Sequence, residues 1–132
     1  HAFSNALSPV QAGVVLEALR VVRSDEGDYL RARSRANIAQ LRAAFEAERL
    51  HCYGRASNIV PVGVGDERLA KWTGRALEER GLIANLVEYP AVARAKARFR
   101  FQVMATHTRE QIDLGVSIFR DALAEARTRL EV

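Results

Sequence analysis

Between residues 98 and 105, apolar and polar side chains alternate: Phe99, Phe101, Val103 and Ala105 are interleaved with Arg98, Arg100, Gln102 and Met104. Successive side chains of a strand point to opposite faces, so the pattern predicts a strand with one buried and one polar face. Such a strand needs a layer packed on its apolar side, which makes the fold a sheet covered on one face. The polar face lacks the Lys/Glu/Thr mixture of a solvated strand and carries two arginines next to a loop. A planar guanidinium grips a carboxylate with two parallel hydrogen bonds, so the pair suits an anion. The structural alternative is that one or both arginines pair with acids such as Glu88 on the neighbouring strand.

The other elements follow from caps and spacing. Ser8-Pro9-Val10-Gln11 offers an N-cap, a first-turn proline and a capping-box glutamine for a helix over 9–22. That helix is apolar almost all round (Val10, Val14, Val15, Leu16, Leu19, Val21, Val22), and a helix without a polar face is expected to be buried against other protein. Residues 24–27 break the pattern, and a second helix over 28–48 carries Leu30, Ser34, Asn37, Ile38, Leu41 and Phe45 on one stripe. Residues 58–64 read as a strand that Pro61 and Gly63 make an edge or a bulged one. Asp66 caps a helix with Leu69, Trp72, Thr73, Ala76 and Leu77 on one face, ended by Gly81. A strand over 83–88 and a loop over 89–97 precede the alternating segment. Thr108 and Gln111 then form a capping box for a last helix with Ile112, Val116, Phe119, Leu123, Ala126 and Leu130 at core spacing. The order α-α-β-α-β-β-α makes an α+β fold: a small sheet of about three strands covered on one face by helices, preceded by two helices. The break near residue 24 divides a leading segment, 1–24, from the unit 25–132.

Composition narrows the function classes. The net charge is +4, but all basic residues except Lys71 and Lys96 are arginines, and most alternate with acids, as in Glu78-Glu79-Arg80 and Glu125-Ala126-Arg127. That is the pattern of solvated helix faces and not of a nucleic-acid footprint. No apolar run reaches the roughly 20 residues of a membrane helix. The single cysteine, Cys52, excludes an internal disulfide, and no secretory leader is visible; both fit a cytoplasmic protein. His1, His51 and His107 are scattered and lack metal-ligand spacing. His107, just before the capping threonine, suits a structural hydrogen bond. There is no Ser-His-Asp order, no G-x-S-x-G and no phosphate-cradling glycine loop. Neither Lys71, on a helix, nor Lys96, in a basic loop, has the apolar setting that favours Schiff-base chemistry. The residues therefore offer an anion clamp without a reaction centre.

Several motifs together resemble one family. Phe3-Ser4-Asn5-Ala6-Leu7-Ser8-Pro9, then Ile59-Val60-Pro61-Val62-Gly63-Val64-Gly65-Asp66, Tyr89-Pro90-Ala91-Val92, Ala97-Arg98-Phe99-Arg100-Phe101 and Ala105-Thr106-His107-Thr108 occur in order. In that order and spacing they resemble the α-oxoamine synthases, enzymes of the fold-type I class that use pyridoxal 5'-phosphate (PLP). The resemblance implies the C-terminal third of a chain of roughly 400 residues, whose small C-terminal domain folds over a cofactor held by a larger domain. It implies that Arg100 binds the carboxylate of the amino-acid substrate and that Arg98 is structural. It also implies that Ser4, with Asn5 as runner-up, reaches the cofactor phosphate of the neighbouring subunit in a homodimer. Arg94 and Lys96 would attract the phosphates of CoA or of an acyl carrier protein. The family's Schiff-base lysine and the cofactor's other partners precede the Phe3-Ser4-Asn5 segment, so the chain alone is expected neither to bind PLP covalently nor to turn over. The loop continues as Ala93-Arg94-Ala95-Lys96, where relatives commonly carry a glycine before the basic residue. The implied reaction is condensation of an amino acid with an acyl thioester, with decarboxylation. The alternatives are a fold-type I aminotransferase using the same arginine, and an interaction module without catalysis.

Overall fold

The computed structural model describes residues 8–130. The elements are α1 (Pro9–Val22), α2 (Asp25–Ala47), β1 (Ile59–Gly65), α3 (Glu67–Glu79), β2 (Asn85–Val87), β3 (Ala97–Gln102) and α4 (Arg109–Leu130), in the expected order. The arginine-bearing strand β3 is central, with β1 and β2 antiparallel on either side.

The apolar face of β3 builds the core. Phe99 and Phe101 pack with Val60 and Val62 of β1 against α2, α3 and α4. Phe119 of α4 is fully buried, its ring 5.4, 5.6 and 5.3 Å from Phe45, Phe99 and Phe101, each edge-on. The edge-on pairs set ring edges against ring faces, the arrangement aromatic quadrupoles favour.

Most helix ends follow the expected chemistry. Asp66 accepts from the Leu69 N–H at 2.8 Å, and Gly81, at φ 74°, lets the Leu82 N–H reach back to the Leu77 carbonyl. Thr108 and Gln111 exchange reciprocal bonds of 2.9 and 3.2 Å. Ser8, by contrast, makes no side-chain cap, so Pro9 and the Ala12 N–H to Ser8 carbonyl bond start α1. Nor does the chain pause over 24–27: α2 begins at Asp25, with Ser24 as its N-cap accepting from Gly27. The Ser24 hydroxyl also donates to the Val21 carbonyl, and Arg31 donates to the Val22 carbonyl at 2.6 Å, which locks α1 and α2 into an elbow. None of the residues of α1 is buried; Val10 is 76% and Leu19 50% exposed.

β1 is both an edge and bulged, its register slipping between Gly63 and Gly65. Segment 51–53 borders it through a Cys52–Val62 bridge and bonds from Tyr53 N–H to Pro61 and from Gly63 N–H to His51. The other two strands are shorter than their alternation predicts. β2 keeps three residues of 83–88, and Ile83 stands 88% exposed. β3 stops at Gln102 because the chain turns over 104–107, where the Asn37 side chain donates to both the Met104 and His107 carbonyls at 2.9 Å. The His107 Nδ1 accepts from the Met104 N–H within the same turn, so this histidine is structural. Val103 stays buried, its N–H on the Asn58 carbonyl, whereas Ala105 leaves the sheet.

Candidate substrate-anion site

The face of β3 away from the helices carries Arg98, Arg100 and Gln102. Arg98 stands opposite Gly63 and Val87, and Arg100 opposite Pro61 and Asn85. No acid shares those positions. Glu88 turns to the helical side, where one carboxylate oxygen lies 3.5 Å from Lys71 Nζ. Its other oxygen is buried with no hydrogen-bond partner among the described residues. Pairing of the arginines with Glu88 is thereby excluded by the phase of β2, which sends alternate side chains to opposite faces.

The two arginines differ in their surroundings. Arg98 donates from Nε to the Lys96 carbonyl at 3.1 Å, and its guanidinium carbon lies 4.0 Å above the Tyr53 ring. Arg100 has neither an ion pair nor a side-chain hydrogen bond among the described residues. It lines a cavity of about 510 Å³ that reaches to the helical side of the sheet, with Asn85, Gln102 and His107 beside Leu41, Phe101 and Ile112. A charged fork presented without a partner over a partly apolar cavity is the arrangement that holds a small carboxylate. A larger groove of about 840 Å³ between α3 and β2 lies on the helical side of the sheet and does not include Arg100.

The adjoining loop is tied down at one end. The Ala95 N–H donates to Glu67 Oε1 at the start of α3, 2.8 Å away. Ala95 sits at φ 56°, a left-handed conformation that glycine adopts at no steric cost. Arg94 stacks on the Tyr89 ring at 4.5 Å, and Lys96 is exposed. Ser4 and Asn5 lie outside the described residues.

The remaining reactive groups are placed away from this face. Cys52 is buried in the core, and burial pushes its thiol pKa above the ordinary value. His51 is exposed, edge-on to Tyr53. Lys71 Nζ lies 3.5 Å from a Glu88 carboxylate oxygen, and Lys96 is exposed.

The family model described as aminotransferase class I and II matches residues 1–119. An 8-amino-7-oxononanoate synthase from Xylella fastidiosa is 33% identical over 135 residues, covering 100% of this chain and 33% of that protein. The chain belongs to the class I and II aminotransferase family. Within it the relatives are those of the α-oxoamine synthase branch. A 2-amino-3-ketobutyrate coenzyme A ligase from Escherichia coli is 34% identical over 119 residues, 90% of this chain and 29% of the relative. A serine palmitoyltransferase from S. paucimobilis, solved with PLP bound, shares the fold at a TM-score of 0.84 and 23% identity, over 96% of this chain and 32% of that one. The chain thus spans about a third of the length of the curated relatives it matches. Its fold is the α+β arrangement that the motifs imply.

Tyr53 and Gly63 are the neighbours of Arg98 that sequence reading misses as a pair. A Cβ on Gly63 would lie 2.9 Å from the Tyr53 ring, so the glycine is the floor on which the ring rests. A glycine within a strand pattern is the available signal, since it marks close approach of another group.

Proposed function

We propose that this chain is the small domain of a PLP-dependent acyltransferase that condenses an amino acid with an acyl thioester and releases carbon dioxide, with Arg100 as the carboxylate holder. The observation that carries the reading is an Arg100 with no ion pair or side-chain hydrogen bond among the described residues, opposite Pro61 and Asn85 in the sheet and lining a cavity of about 510 Å³. The guanidinium fixes the amino acid by its carboxylate in two parallel hydrogen bonds, and the neighbouring Asn85 and Gln102 amides border the same cavity. Orientation and electrostatics are this chain's contribution, while the cofactor resides in a larger domain. Residues 25–132 form the small domain, and α1 packs its exposed apolar side chains on the larger one. Ser4 and Asn5 reach the cofactor phosphate across a homodimer, and Arg94 and Lys96 attract the phosphates of acyl-CoA or of an acyl carrier protein. The 132-residue chain alone is inactive on this reading.

In the complete enzyme, Arg100→Ala and Arg100→Lys raise the KM for the amino acid steeply with a smaller change in that for the acyl thioester. An unchanged amino-acid KM would falsify the assignment. The match to the aminotransferase model favours one second reading, transamination with the same arginine. Carbon dioxide release supports the acyltransferase, and a 2-oxo acid product supports the aminotransferase.

A further inference from the structure

The sheet face that holds Arg100 holds a second guanidinium with more structure built around it than a surface arginine needs. Arg98 is fixed from two directions, by its own Nε on the Lys96 carbonyl at 3.1 Å and by the Tyr53 ring 4.0 Å beneath its guanidinium carbon. The ring can lie there because Gly63, the register partner of Arg98 on β1, has no side chain. Tyr53 is itself held by main-chain bonds, its N–H on the Pro61 carbonyl and its own carbonyl accepting from Arg42. Segments 51–53, β1 and β3 therefore combine to immobilise one guanidinium, yet leave it without an ion pair among the described residues. A side chain that only covered the sheet would need neither the charge nor the stack.

We propose that Arg98 is a second oxyanion-binding residue and Tyr53 its positioning residue, so that the open face takes a substrate complex carrying two anionic groups. The Cα atoms of residues two apart on a strand stand about 7 Å apart, and Arg98 lies over Tyr53 while Arg100 borders Asn85, so the two guanidiniums are separate seats for separate anions. The proposal rests on the reading of Arg100 as the carboxylate holder. The amino-acid carboxylate occupies Arg100, and an oxyanion of the acyl donor, a phosphate or a terminal carboxylate, occupies Arg98. Lys96 precedes Arg98 by two residues and extends the positive charge towards the loop. A prepositioned guanidinium loses little side-chain freedom on binding, which is the benefit of the Tyr53 stack.

The test follows the side-chain Nε–H signals of Arg98 and Arg100 in the complete 15N-labelled enzyme during titration with adipate, butyrate and inorganic phosphate. Adipate, a dicarboxylate, is expected to shift both signals and to bind about tenfold more tightly than butyrate, the gain from one further charge-assisted pairing. Arg98→Gln and Tyr53→Leu reduce adipate to the affinity of butyrate, whereas Tyr53→Phe, which keeps the ring face, retains the difference. Phosphate shifting Arg98 while butyrate occupies Arg100 assigns the second anion to a phosphate; a response to adipate alone assigns it to a carboxylate. Shifts at Arg100 with none at Arg98 overturn this proposal and leave the role of Arg100 standing. Silence at both signals overturns the two readings together. The amide spectrum reports whether each variant folds, and Arg98→Gln with Tyr53→Phe carries the test if Tyr53→Leu does not.

Discussion

Replacing Gly27 by alanine is expected to open the elbow between α1 and α2 while leaving the core intact. A Cβ at Gly27 would lie 2.2 Å from the Val21 carbonyl oxygen, 2.8 Å from that of Val22 and 3.0 Å from the Val22 carbonyl carbon. All three are main-chain atoms, so no side chain can yield, and the chain over 21–22 must retreat by about 1 Å. Overpacking of this kind costs about 1 to 3 kcal/mol. The retreat also strains the Ser24 cap on Gly27, worth about 1 kcal/mol. The elbow should therefore weaken by about 2 to 4 kcal/mol, summed from those two effects. Because α1 buries none of its residues, this loss has little to carry into the rest of the fold. Hydrogen exchange should show the Ser24, Gly27 and Asp28 amides losing about one to three orders of magnitude of protection, with the Phe119 region unchanged. Gly13 is the internal control: nothing lies within 4 Å of its Cβ position, so Gly13→Ala should stabilise α1 by about 1 kcal/mol. Unchanged protection at the elbow in Gly27→Ala, or an equal loss across the core, refutes the close-contact argument.

Ala95→Gly removes a left-handed alanine, a gain of about 1 to 2 kcal/mol, against about 0.4 to 1 kcal/mol of added chain entropy in the unfolded state. Urea unfolding should show a net change between about zero and about 1.6 kcal/mol of stabilisation, and destabilisation contradicts the backbone assignment. Phe119→Ala empties the centre of the aromatic cluster and should cost about 3 to 5 kcal/mol by the same measurement. Glu125 is held below its ordinary carboxyl value of 4.5, first by the Arg80 hydrogen bond at 2.6 Å and then by Arg129 at 2.7 Å. A depressed folded pKa contributes stability above the unfolded value and loses it as pH falls through the folded one. Glu125→Gln should therefore lower Tm near neutrality and flatten its fall on acidification below the ordinary carboxyl range; an unchanged acid limb counts against the pair.

Local chemistry made the element order legible. Asp66, Gly81 and the Thr108–Gln111 box announce helix ends through bonds that span at most five residues. What stayed hidden depends on distant partners. β3 ends where Asn37, a residue of α2, clamps the turn at Met104 and His107, and no alternation within the strand reports that. Ser24 and Gly27 carry turn chemistry, yet the serine caps a helix and the glycine admits two carbonyls; only the closeness of α1 to α2 separates the two meanings.

The site shows the same division more sharply. The phase of β3 places Arg98 and Arg100 together, and period two is enough to read that from sequence. Which arginine has a partner is decided across strands. Glu88 directly follows β2, one residue out of phase with Asn85 and Val87, and its carboxylate meets Lys71 instead. Tyr53 is remote in sequence and reaches Arg98 only because Gly63 vacates the space between them. A missing side chain on β1 thus sets the conformation of a charged one on β3. That coupling gives Gly63→Ala an asymmetric consequence: the new methyl group pushes against a ring that can swing away, so the fold survives while Arg98 loses the surface that holds it.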